Sequence, residues 1–147
     1  MTGILVISHG RLATELLAAA RTIEPALAER TRAITLEWNV EPEEARAEIG
    51  RAVRELDAGD GVIVLTDMFG GTPTNLSLGC LDPARSEIIT GVNLPMLIKL
   101  SGARRQEGLT LRQIARVVAD KGQKSIYVVS EILAKRPGGG GHGATNG

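Results

Sequence analysis

The chain has 147 residues with 17 acidic and 17 basic side chains, so its formal charge is zero, and nothing in that balance attracts nucleic-acid phosphates or an anionic membrane surface. A length of this order suits one domain that buries roughly two thirds of the surface its unfolded chain exposes, without a metal or disulfide staple. The single Cys80 excludes an internal disulfide and a thiolate metal cluster, fits a reducing cytoplasm, and reads as a small core residue.

The first apolar run, Gly3-Ile4-Leu5-Val6-Ile7, has no basic leader and ends in polar Ser8-His9-Gly10, so it reads as a buried strand over Ile4–Ser8 and not as a secretion signal. A helix over Leu12–Ile23 follows, with Leu12, Leu16, Leu17 and Ala20 on one face. The second strand is Ala33–Trp38 and the second helix Pro42–Leu56. Pro42 suits the first helical position, Glu43 and Glu44 complement the positive end, and Ala45, Ile49, Ala52, Val53 and Leu56 form the stripe that must face a sheet. Gly61–Thr66 is apolar almost throughout, as expected of a central strand covered on both faces. Glu87–Thr90 supplies a fourth strand, Pro95–Leu100 and Leu111–Asp120 two more helices, and Ser125–Val129 a fifth strand.

This alternation predicts an α/β domain over residues 1–135, a doubly wound and largely parallel five-stranded sheet with helices on both faces. No stretch provides the ~20 apolar residues that span a bilayer, so a soluble cytoplasmic protein is expected. Beyond Pro137, the run Gly138–Gly141 and the polar end predict a disordered tail over residues 136–147. His142 falls in that tail without companion ligands, which leaves no metal site to propose there.

In an open α/β sheet, ligands bind beyond the carboxyl ends of the strands, where neighbouring connections leave toward opposite faces. Two strands end in unusual chemistry there. The first delivers Ser8-His9-Gly10 and the third delivers Thr66-Asp67-Met68-Phe69-Gly70-Gly71-Thr72-Pro73. If these strands are neighbours, His9 and Asp67 face each other across a crevice.

A neutral imidazole is nucleophilic near physiological pH, and its phosphoramidate is reactive enough to pass a phosphoryl group onward. An Asp that accepts a hydrogen bond from Nδ1–H fixes the tautomer that leaves a lone pair on Nε2, which is the task expected of Asp67. Gly70 and Gly71 allow backbone amides to approach an anion, Thr72 can cap the next helix and offer its hydroxyl, and Pro73 fits the first turn. Unpaired N–H groups at that helix start make an anion site. Gly10 permits a close approach beside His9, and Arg11 reads as a solvated helix-start residue.

The chain resembles the enzyme IIA component of the mannose family of the phosphoenolpyruvate-dependent sugar phosphotransferase system (PTS), over nearly all of Met1–Lys135. Three stretches carry the resemblance: Ile7-Ser8-His9-Gly10 with Ala13 to Leu17, Asp67-Met68-Phe69-Gly70-Gly71-Thr72-Pro73-Thr74-Asn75, and Thr90-Gly91-Val92-Asn93-Leu94-Pro95-Met96-Leu97. It implies a phosphotransferase component in which His9 receives a phosphoryl group from the phosphocarrier HPr and donates it to a histidine of an enzyme IIB protein, serving a membrane-associated sugar transporter or PTS-linked regulation. Asp67 is then the hydrogen-bond partner of His9, with Gly70, Gly71 and Thr72 around the phosphoryl group and no cofactor. The resemblance also implies a flavodoxin-like strand order 2-1-3-4-5, an antiparallel last strand, and a homodimer to which that strand contributes. Asn93 and Pro95 cap and start the fourth helix, and their loop borders the crevice.

Two other readings compete. The phosphocarrier subunit of a dihydroxyacetone kinase shares the fold and the early histidine but differs in the second motif. The other is a non-catalytic module of flavodoxin-like fold, either a purely regulatory partner domain or a flavin- or nucleotide-binding one, and the usual binding signatures are missing here, since neither G-x-G-x-x-G nor G-x-x-x-x-G-K-[ST] occurs. Only Trp38, Phe69 and Tyr127 are available to stack on a ring.

Overall fold

The computed structural model describes residues 1–68 and 70–135; Phe69 and the expected tail with its His142 lie outside the described residues. The elements run β1 (Gly3–His9), α1 (Leu12–Ile23), a 3-10 turn (Pro25–Ala28), β2 (Thr31–Leu36), α2 (Pro42–Leu56), β3 (Val62–Thr66), α3 (Thr72–Cys80), β4 (Ser86–Thr90), α4 (Leu94–Ala103), α5 (Leu111–Lys124) and α6 (Val129–Ala134). The four strands form one sheet in the order β2-β1-β3-β4, and every pairing is parallel.

Alternate side chains of the central strands feed two cores. Ile4, Val6, Ile63 and Leu65 pack with α1, α4 and α5 through Ala13, Ala20, Leu97, Leu100 and Val118. Leu5, Ile7, Val62 and Val64 pack on the other face with α2 and α3 through Ala45, Ile49, Ala52 and Leu76. Each fully buried aliphatic side chain contributes roughly 1.5–3 kcal/mol, which is why β3, buried at every position, sits in the middle of the sheet. The stripe expected on α2 is buried as a set. On α1 the buried line is Ala13, Leu17 and Ala20, with Leu16 at its margin and Leu12 exposed. Leu12 opens the helix at the carboxyl edge of the sheet, beyond the reach of the core.

The expected fifth strand does not form. Helix α5 continues to Lys124, Ser125 closes it, and residues 126–128 run without a strand partner into α6. Ile126, Tyr127, Val128 and Val129 are all exposed. β-branched composition favours a strand only where a neighbouring edge accepts its ladder hydrogen bonds and its apolar face, and among the described residues no strand pairs with the segment. The antiparallel last strand is absent for the same reason. Helices α4 and α5 outrun their expected bounds: Asn93 accepts the Met96 N–H (3.1 Å) and starts α4 one residue early, while the Thr110–Gln113 capping box fixes the expected start of α5 at Leu111 and the helix runs on to Lys124.

No helix among the described residues is long and apolar enough to cross a membrane. No group of three or more His, Cys, Asp or Glu among them could hold a metal ion. Cys80 is half-buried and packs beside the α2–α3 core. Burial pushes its thiol pKa up, as suits a packing residue.

Candidate functional site

The crevice lies where the sheet changes winding direction. β1 leads through α1 toward β2 on one face, while its neighbour β3 leads through α3 toward β4 on the other, so the loops diverge and leave the strand ends open. The register Ile7↔Thr66 then brings His9, two residues on, beside Asp67, one residue on. Gly10 turns the chain out of β1 with φ +55°, a left-handed conformation that any side chain would strain. Ser8 Oγ anchors the start of α1 by accepting the Ala13 N–H at 2.7 Å.

His9 Nδ1 lies 2.6 Å from Asp67 Oδ2, and the His9 backbone N–H donates to the same oxygen at 2.9 Å. The second carboxylate oxygen, Oδ1, accepts the Met68 N–H at 2.9 Å. Burial raises the Asp67 pKa, but the hydrogen bonds from the His9 backbone and ring, with that of Met68, outweigh it and hold the carboxyl below its ordinary value. An ionised carboxylate only accepts, so the proton of the neutral imidazole sits on Nδ1 and the Nε2 lone pair is free. The pair is recessed: the side chains are 34% and 11% exposed for His9 and Asp67.

The loop after β3 is held from below by α3. Thr74 donates its hydroxyl proton to the Met68 carbonyl (2.9 Å) and lies 2.6 Å from the Thr66 hydroxyl. Since Thr74 has one proton to give, Thr66 is the donor of that second bond. Asn75 Nδ2 donates to the Gly70 carbonyl at 3.4 Å. Gly70 adopts φ +82°. Gly71 approaches the imidazole so closely that a Cβ there would stand 3.3 Å from His9 Cε1.

Two expectations change in this loop. The cap of α3 is Gly71, whose extended backbone precedes the helix, whereas Thr72 is its first helical residue and makes no side-chain cap bond. Pro73 is compatible with this start, because its missing N–H has no intrahelical partner anywhere in the first turn. The Gly71 N–H is engaged with the Met68 carbonyl (3.3 Å), so the chain past Gly71, with exposed Thr72 at its head, is the part of the helix start that can face an anion. The hydrogen bonds of Asn93 go to neither His9 nor Asp67: it caps α4, and its Nδ2 donates to the Gly122 carbonyl at 3.2 Å. Arg11 is exposed and paired with Glu15 at 2.9 Å.

Three residues near the pair were not singled out from the sequence. Thr66 and Thr74 read as ordinary strand and helix positions until their hydroxyls meet. Trp38, expected to end the second strand and to be available to stack, lies instead beyond β2, with its ring centre 5.8 Å from that of His9, tilted by 34°. The register His9↔Leu36 puts it there, since Trp38 is two residues past the end of β2. A separate groove of about 730 Å³, lined by Ile23, Pro95, Ile98, Lys99 and Tyr127 among others, contains neither His9 nor Asp67.

The fold and the site together define a doubly wound α/β protein with a histidine–carboxylate pair at its switch point and a helix start beside it. Residues 3–118 match the family model described as the PTS system fructose IIA component, and the chain belongs to that family. The PTS system fructose-specific EIIA component of Bacillus subtilis (strain 168) is 33% identical over 86 residues, 58% of each chain. The PTS system mannose-specific EIIAB component of Escherichia coli (strain K12) is 34% identical over 105 residues, 69% of this chain and 31% of the relative. The chain thus spans less than two thirds of the length of either. Among solved structures, the PTS IIA protein associated with the fucose utilization operon of Streptococcus pneumoniae superposes with a TM-score of 0.76 at 31% identity, covering 90% of this chain and 96% of that one.

Proposed function

We propose that His9 accepts a phosphoryl group from phospho-HPr on Nε2 and passes it to an enzyme IIB protein. The observation that carries this reading is the 2.6 Å contact between His9 Nδ1 and Asp67 at the switch point of a PTS IIA fold. In the first step the P–N bond of the donor phosphohistidine breaks, its imidazole leaves with the electron pair, and a P–N bond forms at His9 Nε2. The His9 ring keeps its Nδ1 proton, so once phosphorylated the ring itself carries positive charge facing the Asp67 carboxylate, with the negative charge on the phosphoryl oxygens. Asp67 therefore orients the ring before transfer and balances its charge afterwards. Gly70, Gly71 and Thr72 frame the phosphoryl group, with the start of α3 supplying the positive end of a helix. In the second step the P–Nε2 bond breaks, the His9 imidazole leaves with the electron pair, and a P–N bond forms on the IIB histidine.

The exposed run Ile126–Val129 supports a homodimer in which this segment meets a second copy, because four adjacent apolar side chains are costly to leave in water. Incubation with phosphoenolpyruvate, enzyme I and HPr tests the transfer reading. One acid-labile phosphoryl group per chain is expected, abolished in His9→Ala. A stable label in His9→Ala would overturn the assignment.

A further inference from the structure

Trp38 is the only tryptophan in the chain and is 94% exposed, so its indole adds almost nothing to the buried core. Its ring nonetheless stands beside the imidazole of His9. In the loop after β3, at the other flank of β1, Met68 follows Asp67 and is also exposed. β1 lies between β2 and β3, so the loops after these two strands set an apolar side chain on either side of the recessed histidine. Large apolar residues left in water around a polar centre mark a contact surface, and tryptophan is foremost among residues that dominate such contacts.

We propose that Trp38 is a specificity-determining residue for the protein that exchanges a phosphoryl group with His9, a protein whose phosphohistidine is ringed by apolar side chains. The proposal rests on the reading of His9 as phosphoryl acceptor. Transfer between two imidazoles requires both rings to face one phosphorus atom from opposite sides, one P–N bond breaking as the other forms. His9 is recessed, so the donor protein must bring its own surface onto the rim, and among the described residues Trp38 is the most exposed large apolar side chain there. A small phosphoryl donor has no such surface and reaches Nε2 without touching the indole.

The test compares two donors on the same protein. His9 is phosphorylated by phospho-HPr and, separately, by phosphoramidate, in wild type, Trp38→Ala and Trp38→Phe. The ratio of kcat/KM with phospho-HPr to the rate constant with phosphoramidate is expected to fall about tenfold or more in Trp38→Ala, through KM, and to recover in large part in Trp38→Phe. Unphosphorylated HPr should also shift wild-type tryptophan emission to the blue as the indole leaves water. An unchanged ratio in Trp38→Ala, or an equal loss with both donors, overturns the proposal. Failure of both donors to label wild-type His9 would instead defeat the underlying reading of the histidine.

Discussion

Replacing Asp67 with Asn removes the negative charge while keeping size and shape. In the wild-type protein one carboxylate accepts the His9 ring and backbone N–H groups and the Met68 N–H, at 2.6, 2.9 and 2.9 Å. An amide can match at most part of that set, because its NH₂ would point a donor at a donor. A hydrogen bond to a charged group is worth about 1.5–3 kcal/mol. If that contribution is felt fully in the transition state, where the phosphorylated ring is becoming a cation, each 1.36 kcal/mol costs a factor of ten. The expected loss in phosphoryl transfer is therefore about 10- to 150-fold, and release of the tautomer can only deepen it. Rapid-quench measurement of phosphohistidine formation from phospho-HPr reads the rate directly, and the circular dichroism spectrum checks that the fold is retained. A folded Asp67→Asn protein that transfers at the wild-type rate would refute the reasoning.

The carboxyl of Asp57 is held below its ordinary pKa by the Arg85 guanidinium, against some desolvation, with help from the Gly59 and Gly61 N–H groups. A carboxylate lowered in this way stabilises the fold above its unfolded pKa of about 3.9, and that stability is lost as pH falls through the lowered folded value. Urea unfolding should thus find Asp57→Asn less stable than wild type at pH 7, with the gap closing toward pH 3. Arg104 is 4% exposed and donates to the Thr2 and Ala26 carbonyls and the Thr31 hydroxyl; Arg104→Ala should cost about 3 kcal/mol in urea unfolding by leaving these acceptors unpaired. Thr74→Val should cost about 1–3 kcal/mol and slow His9 labelling, since the Met68 carbonyl and the Thr66 hydroxyl lose their partner, whereas Thr74→Ser should retain both. Paired Ile126→Asp and Tyr127→Asp substitutions should turn a sedimenting dimer into a monomer; a wild-type protein that sediments as a monomer at all concentrations would contradict the homodimer.

The central strands were legible because their residues answer to one local rule. A short β-branched run that is apolar on both faces and bounded by turn residues is the pattern of a covered strand, and Ile4–Ile7 and Val62–Leu65 follow it. Helix α2 was legible through its proline, its first-turn acids and its stripe. Ser125–Val129 carries the composition of a strand as well, but a strand also needs an edge to pair with, and composition says nothing about that. The cap of α3 lies one residue earlier than expected: Thr is the stronger capping residue and Pro73 fits either start, but the extended backbone before the helix falls at Gly71.

His9 and Asp67 could be paired from sequence because each ends a strand in an unusual run of polar and glycine residues. Trp38 could not be placed beside His9 in the same way. Its position follows from the pairing of His9 with Leu36, a register that no local pattern around Trp38 specifies. The hydroxyl chain from Thr66 through Thr74 to the Met68 carbonyl is hidden for a related reason, since its members belong to a strand, a helix and a loop.

The account stands on Asp67 holding the Nδ1 proton of His9 so that Nε2 is the atom that reacts. Long-range ¹H–¹⁵N correlation spectra of the phosphorylated, ¹⁵N-labelled protein read this directly, because phosphorus on either ring nitrogen gives a distinct coupling pattern. The expected spectrum has phosphorus on Nε2 of His9 and a proton on Nδ1. Phosphorus on Nδ1, where the Asp67 carboxylate stands, would contradict the account.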